Sequence, residues 1–150
     1  MRIITKHNNK LYEKTNLVYH TEGLKIAQKL HYIALSHKNC VGLAHNQIGG
    51  DKAVFVAKIN NKWRYFINPM IVSTSSKSHN LVESCMSFPN KYSKVKRYLE
   101  IELYHQVKAR SDIKGEAFIT ERFNGFNAIV IQHEIQHLVG KTIFCKQEEK

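Results

Sequence analysis

The apolar positions of this chain change their spacing as it is read from end to end, and each change marks a new element. Ile26, Leu30, Ile33 and Ala34 recur at i, i+4, i+7 and i+8, which gathers them on one face of a helix. Thr21 can cap that helix, which is predicted to run to about Lys38. Next come AVFVAKIN (53–60) and KWRYFIN (62–68), rich in β-branched and aromatic residues. They meet at Asn60-Asn61, whose side chains tolerate the positive φ of a tight turn, so a hairpin is predicted. After Pro69, Met70–Thr74 reads as a strand and Ser73–Asn80 as a polar loop. Residues 94–108 and 116–122 read as two further strands, joined by a turn around Asp112–Gly115. Asn124 can then cap a helix through FNAIVIQHEIQHL, which Gly140 can end in the left-handed conformation. The order predicts an α+β fold: antiparallel β-sheets packed around a central helix that carries HEIQH, with an N-terminal helix.

No repeat, Gly/Ser stretch or Pro-rich linker breaks the chain, and 150 residues suffice for one core, so residues 1–150 are expected to form a single domain. With 43% hydrophobic and 23% charged residues, disordered and collagen-like classes are excluded. Three cysteines, Cys40, Cys85 and Cys145, are odd in number and far apart, which speaks against a disulfide scaffold and for a reducing compartment. Cys40 and Cys145 are expected to be small buried hydrophobes. No apolar run approaches the roughly 18 residues of a membrane span, and MRIITKHNNKLYEKTN lacks the apolar core of a secretory signal, so the expected location is the cytoplasm. The net charge of +11 attracts phosphate backbones and anionic surfaces.

Chemistry enters with His133-Glu134-Ile135-Gln136-His137. The i, i+4 spacing stacks both imidazoles on one helical face, close enough to grip a single cation, with Glu134 beside them. Ala128, Ile129, Val130, Ile131, Ile135, Leu138 and Val139 make this helix apolar nearly all round, so its histidines must face a core or a cleft. Two imidazoles leave a catalytic ion short of a third protein ligand, which a carboxylate or a thiolate elsewhere in the fold can supply.

Three segments carry a resemblance. Glu83-Ser84-Cys85-Met86-Ser87 resembles the EGCLS motif of the peptide deformylases, Gly42-Leu43-Ala44-His45-Asn46-Gln47 their GLAAPQ motif, and QHEIQHLVG their QHExDHLxG, all in the family's order. The resemblance implies that Cys85, His133 and His137 bind one divalent metal, Fe(II) in the first place, with zinc, nickel or cobalt able to take the same ligands. It implies removal of the formyl group from N-formylmethionyl peptides, with release of formate. Glu134 would move the proton, while the Gln47 side chain and the Met86 backbone N–H would donate to the oxyanion. The methionine side chain would enter a pocket of Val41, Gly42, Ile129 and Val130, with Glu83 and Ser84 also at the substrate and Glu83 supporting the metal ligands from behind.

Several positions depart from the motifs. Ser84 stands for Gly, where a Cβ costs about 1 kcal/mol or more if the backbone must be left-handed or must come close to the substrate backbone. Met86 replaces Leu without changing volume much. His45-Asn46 replaces Ala-Pro, which loosens the loop that aims Gln47 and adds a stray imidazole. Gln136 replaces the Asp that pairs with an arginine, and Arg97 is expected to donate to the Gln136 side-chain carbonyl. Thirteen residues follow His137, which resembles the short deformylases of phage and organelle lineages, without a C-terminal extension. The expected setting is the cytoplasm of a bacterium, or of a phage's host. The expected form is a monomer near ribosomal RNA through its basic surface, with no membrane or DNA partner. Two alternatives compete: an HExxH metallopeptidase, and an inactive metal-holding or RNA-associated relative. The first would take a histidine or glutamate in place of Cys85, and the second has no chemical reason to keep all of Cys85, His133, Glu134 and His137.

Overall fold

The computed structural model describes residues 3–5, 7–108 and 117–145. Among the described residues, helix α1 (His20–Leu35) leads into seven strands, β1 (Gly42–Ala44), β2 (Val54–Ile59), β3 (Lys62–Thr74), β4 (Ser78–Cys85), β5 (Phe88–Tyr98), β6 (Glu100–Val107) and β7 (Ala117–Asn124), before helix α2 (Gly125–Leu138). A five-stranded sheet has the order β1-β2-β3-β6-β7, and β4 and β5 pair apart from it as a two-stranded sheet. All these pairings are antiparallel.

Strand β2 explains why α2 is central. Its side chains alternate faces, as on any strand. Phe55, Ala57 and Ile59 pack with Ala128, Ile131 and Leu138 of α2. Val54 and Val56 pack with Ala27, Leu30, Ile33 and Ala34 of α1 on the opposite face. With both faces covered, the strand reads as one continuous apolar run.

The hairpin stands as predicted, with Asn60 and Asn61 left-handed at φ 49° and 65°. Other elements differ from expectation. Helix α1 starts one residue before Thr21, with Tyr19 as a cap that makes no side-chain bond, and it ends at Leu35. Ile26 is only half-buried, because Gly23 and Ala27 share the inner face with Leu30, Ile33 and Ala34. The polar loop shrinks to residues 75–77, since 78–85 form β4. The strand expected over 94–108 breaks at Leu99, where the chain leaves the small sheet for the large one. The predicted turn at Asp112–Gly115 lies outside the described residues.

Gly140 follows α2 in the left-handed region, at φ 78°. A Cβ there would fall 2.6 Å from the Tyr12 carbonyl oxygen. Gly140→Ala therefore meets both backbone strain and a clash. A loss of about 1–3 kcal/mol is expected, read as a lower midpoint in urea unfolding.

Candidate active site

Helix α2 delivers His133, Glu134 and His137 into the space between the two sheets. Glu134 and His137 are almost wholly buried, and His133 nearly so. The third donor comes from the end of β4, where the ladder shifts register between Ser84 and Cys85. Cys85 Sγ lies 3.3 Å from His137 Nε2, which lies 3.3 Å from His133 Nε2. All three donor atoms fall within 4.8 Å of one another, a group that fits a single metal ion. Its composition, one thiol and two imidazoles, fits an open catalytic centre with one position left for solvent or substrate.

Glu83 and Cys85 lie on the same side of β4, two residues apart, so the strand aims both inward. His133 Nδ1 donates to Glu83 Oε1 at 2.8 Å, which leaves Nε2 as the ligand atom. Burial pulls the His133 pKa down, but the Cys85 thiol and the Glu83 and Glu134 carboxylates outweigh it and push it up to about 10. The negative surroundings that favour a proton here equally favour a shared cation. Burial and the neighbouring His133 charge hold His137 well below the usual imidazole range. Burial raises Glu83, but hydrogen bonds to His133 and Arg97 bring it below the usual carboxylate range. Glu134 is pushed up to about 7, by burial first and the Glu83 charge second, against the opposing pull of His133 and Arg97.

Gln47 is buried in the short turn His45–Ile48, its Oε1 accepting from Ala44 N at 3.0 Å. Its Nε2 faces Cys85 Sγ at 3.6 Å and Ser87 Oγ at 3.2 Å. The site opens into a cavity of about 540 Å³. Val41, Gly42, Glu83, Ser84, Met86, Ile129 and Val130 all border it, together with Gln47, Cys85, His133 and Glu134. A Cβ on Gly42 would come within 3.0 Å of the Glu134 side chain, so only glycine leaves that carboxylate its room. The sequence gives no site role to Ser87, which accepts from Gln47, nor to Cys40, Tyr92 and Phe126, which border the cavity. Ser87 could have been found from its place two residues after Cys85.

A sequence model of the polypeptide deformylase family matches residues 1–150. The chain belongs to that family. It is 35% identical over 123 residues to the peptide deformylase of Thermotoga neapolitana, a match covering 81% of this chain and 71% of the relative. It is 40% identical over 104 residues to that of Polynucleobacter necessarius, covering 67% of this chain and 57% of the relative. Among solved structures, the deformylase of the Vibrio parahaemolyticus bacteriophage VP16T, in complex with actinonin, superposes with a TM-score of 0.81 at 28% identity. That match covers 95% of this chain and all of the phage protein. The Thermotoga maritima enzyme gives 0.82 at 27%, covering 99% of this chain and 97% of that one.

Within this deformylase framework, four expectations are corrected. Arg97 does not reach Gln136. Its Nε and a terminal nitrogen donate to the two Glu83 oxygens at 2.7 and 2.8 Å, because a full carboxylate on the paired strand is the stronger acceptor. Gln136 Oε1 is left buried with no partner among the described residues. Ser84 carries no backbone strain: its φ is not in the left-handed region, and its side chain is exposed. His45 is no stray ligand, since its Nδ1 accepts from Lys52 N at 3.0 Å, away from the donor group. Cys40 is buried, its thiol donating to the Gly42 carbonyl, but Cys145 is only half-buried, its sulfur accepting from Thr142 N. No described helix is long and apolar enough to cross a membrane.

Proposed function

We propose that Glu134, Gln47 and Met86 divide the work of formamide hydrolysis beside a single ion held by Cys85, His133 and His137. The reaction follows from the family: metal-dependent removal of the N-formyl group from nascent peptides. The observation that carries the division of roles is the buried Glu134 carboxyl and Gln47 carboxamide flanking the three-donor group at the cavity floor. When bound, the ion supplies Lewis acidity, lowering the pKa of water from about 15.7 toward 7.

The residues do the rest. Glu134 accepts a proton from the attacking water and passes it to the departing amine. Gln47 Nε2, held by Ala44 N and Ser87 Oγ through the two ends of its amide, donates to the oxygen that gains charge. The Met86 N–H is the second donor. Glu83, fixed by Arg97, keeps His133 in one tautomer and one orientation. Val41, Gly42, Ile129 and Val130 receive the methionine side chain. Fe(II) as resident ion suits the thiolate–imidazole set. A monomer working in the cytoplasm near ribosomal RNA is in keeping with the charge of +11. A thiol as third donor sets this site apart from an HExxH metallopeptidase.

The test uses protein prepared without air, formyl-Met-Ala-Ser, its acetylated counterpart and an unformylated peptide. Formate is expected from the first peptide alone. Cys85→Ser is expected to lose both turnover and bound metal, since a hydroxyl is a far poorer ligand than a thiolate. Internal cleavage of the unformylated peptide, or full activity in Cys85→Ser, would overturn the reading.

A further inference from the structure

The segment His45-Asn46 stands where the motif carries Ala-Pro, and the reaction above gives it no task. A proline stiffens a loop through its ring, which fixes φ. Here side chains do the holding. His45 Nδ1 accepts from Lys52 N at 3.0 Å, closing the loop at its base. Asn46, 1% exposed, sends its amide nitrogen to the backbone carbonyl of His137, ninety-one positions away in sequence. That carbonyl also accepts from Gly140 N at 2.9 Å, so it is gripped from two directions. Asn46 Oδ1 is buried with no partner among the described residues. A side chain kept only for packing has no reason to bring a lone acceptor into the interior, where leaving it unpaired is costly. Asn46 thus touches the helix end that carries a metal ligand, while its next neighbour is the oxyanion donor Gln47.

We propose that Asn46 is a positioning residue: its amide ties the turn that aims Gln47 to the end of α2 that holds His137, and so sets the distance between donor and metal centre. The proposal rests on the deformylase reading. A donor helps a developing charge only when held at hydrogen-bond distance from where that charge appears, so a slack connection lowers turnover more than substrate binding.

Four proteins test it: wild type, Asn46→Ala, Gln47→Ala and the double variant, each checked by thermal melting. Asn46→Leu, close to asparagine in size and free of unpaired polar atoms, replaces Asn46→Ala if the alanine variant does not fold. Asn46→Ala is expected to lower kcat on formyl-Met-Ala-Ser about 10- to 100-fold with KM within about twofold. In the Gln47→Ala background, with metal content matched, the same change should cost less than about threefold, because the donor that Asn46 positions is already gone. Independently of turnover, Co(II)-loaded Asn46→Ala should give up its ion to EDTA about 10-fold faster than wild type. An unchanged kcat, an equal penalty with and without Gln47, or unchanged Co(II) release would each overturn the proposal. A wild-type protein inactive on the formyl peptide would instead sink the deformylase reading, while Co(II) release would still report on Asn46.

Discussion

Glu134→Gln is expected to cut deformylation by about 10²- to 10⁴-fold while leaving the metal in place. Glutamine keeps the shape of the side chain but accepts no proton, and Glu134 is not among the three donors that gather around the ion. Its Oε1 lies 4.0 Å from His133 Nε2, and its Oε2 is buried without a partner among the described residues. Such a carboxyl is held in reserve for a proton rather than spent on structure. Formate release with equal metal content in both proteins is the measurement; retention of more than a tenth of the rate would remove Glu134 from its role.

The same variant carries a pH signature. Glu134 ionises near 7 in the folded protein and near 4.5 when unfolded. Between these values the folded state binds the extra proton, so this group's contribution to stability falls as pH rises through the window. Glutamine does not titrate. In chelator-treated protein, the melting temperature of Glu134→Gln relative to wild type should therefore be more favourable at pH 8 than at pH 5, and the opposite trend would contradict the assignment of the shift to burial.

Arg97→Ala is expected to cost about 3–5 kcal/mol, more than Gly140→Ala. Arg97 is only 2% exposed, and its guanidinium grips both oxygens of Glu83, itself only 12% exposed. Truncating the arginine leaves a carboxylate indoors with His133 as its remaining partner among the described residues. The pair Arg97→Met with Glu83→Gln removes both charges and should be milder than Arg97→Ala alone. Urea unfolding of the three proteins decides this. Glu83 has a lowered pKa, so its contribution is present above about pH 4.5 and is lost as the solution is acidified past the folded-state value.

Much of the site could be read from the sequence because its chemistry is local. His133, Glu134 and His137 need only helical spacing to converge, and the apolar run around them fixes their burial. Asn60-Asn61 announces its turn because asparagine tolerates positive φ at low cost. Strands β4 and β5 were harder to see. One side of this hairpin faces solvent, and the other meets the rest of the protein only in part, so its polar residues imitate a loop. The break at Leu99 is set by which sheet each half joins, a choice made by distant strands. Arg97 illustrates the same limit: its nearest strong acceptor, Glu83, is fixed by β4–β5 pairing, where His79 and not Glu83 stands directly opposite it. Asn46 is harder still, since nothing near it in sequence hints at the His137 carbonyl.

Among the described residues, Cys85 sits on a hairpin that shares no ladder with the large sheet, whereas both histidines belong to the helix buried against that sheet. Whatever joins the sulfur to the imidazoles therefore also rivets one piece of the molecule to the other. Turnover and a share of that cohesion hang on the same three atoms, the rest being carried by bonds such as His133–Glu83 and Gln132–Tyr98, so damage to the sulfur, such as oxidation, would loosen the architecture at the moment it silenced the chemistry.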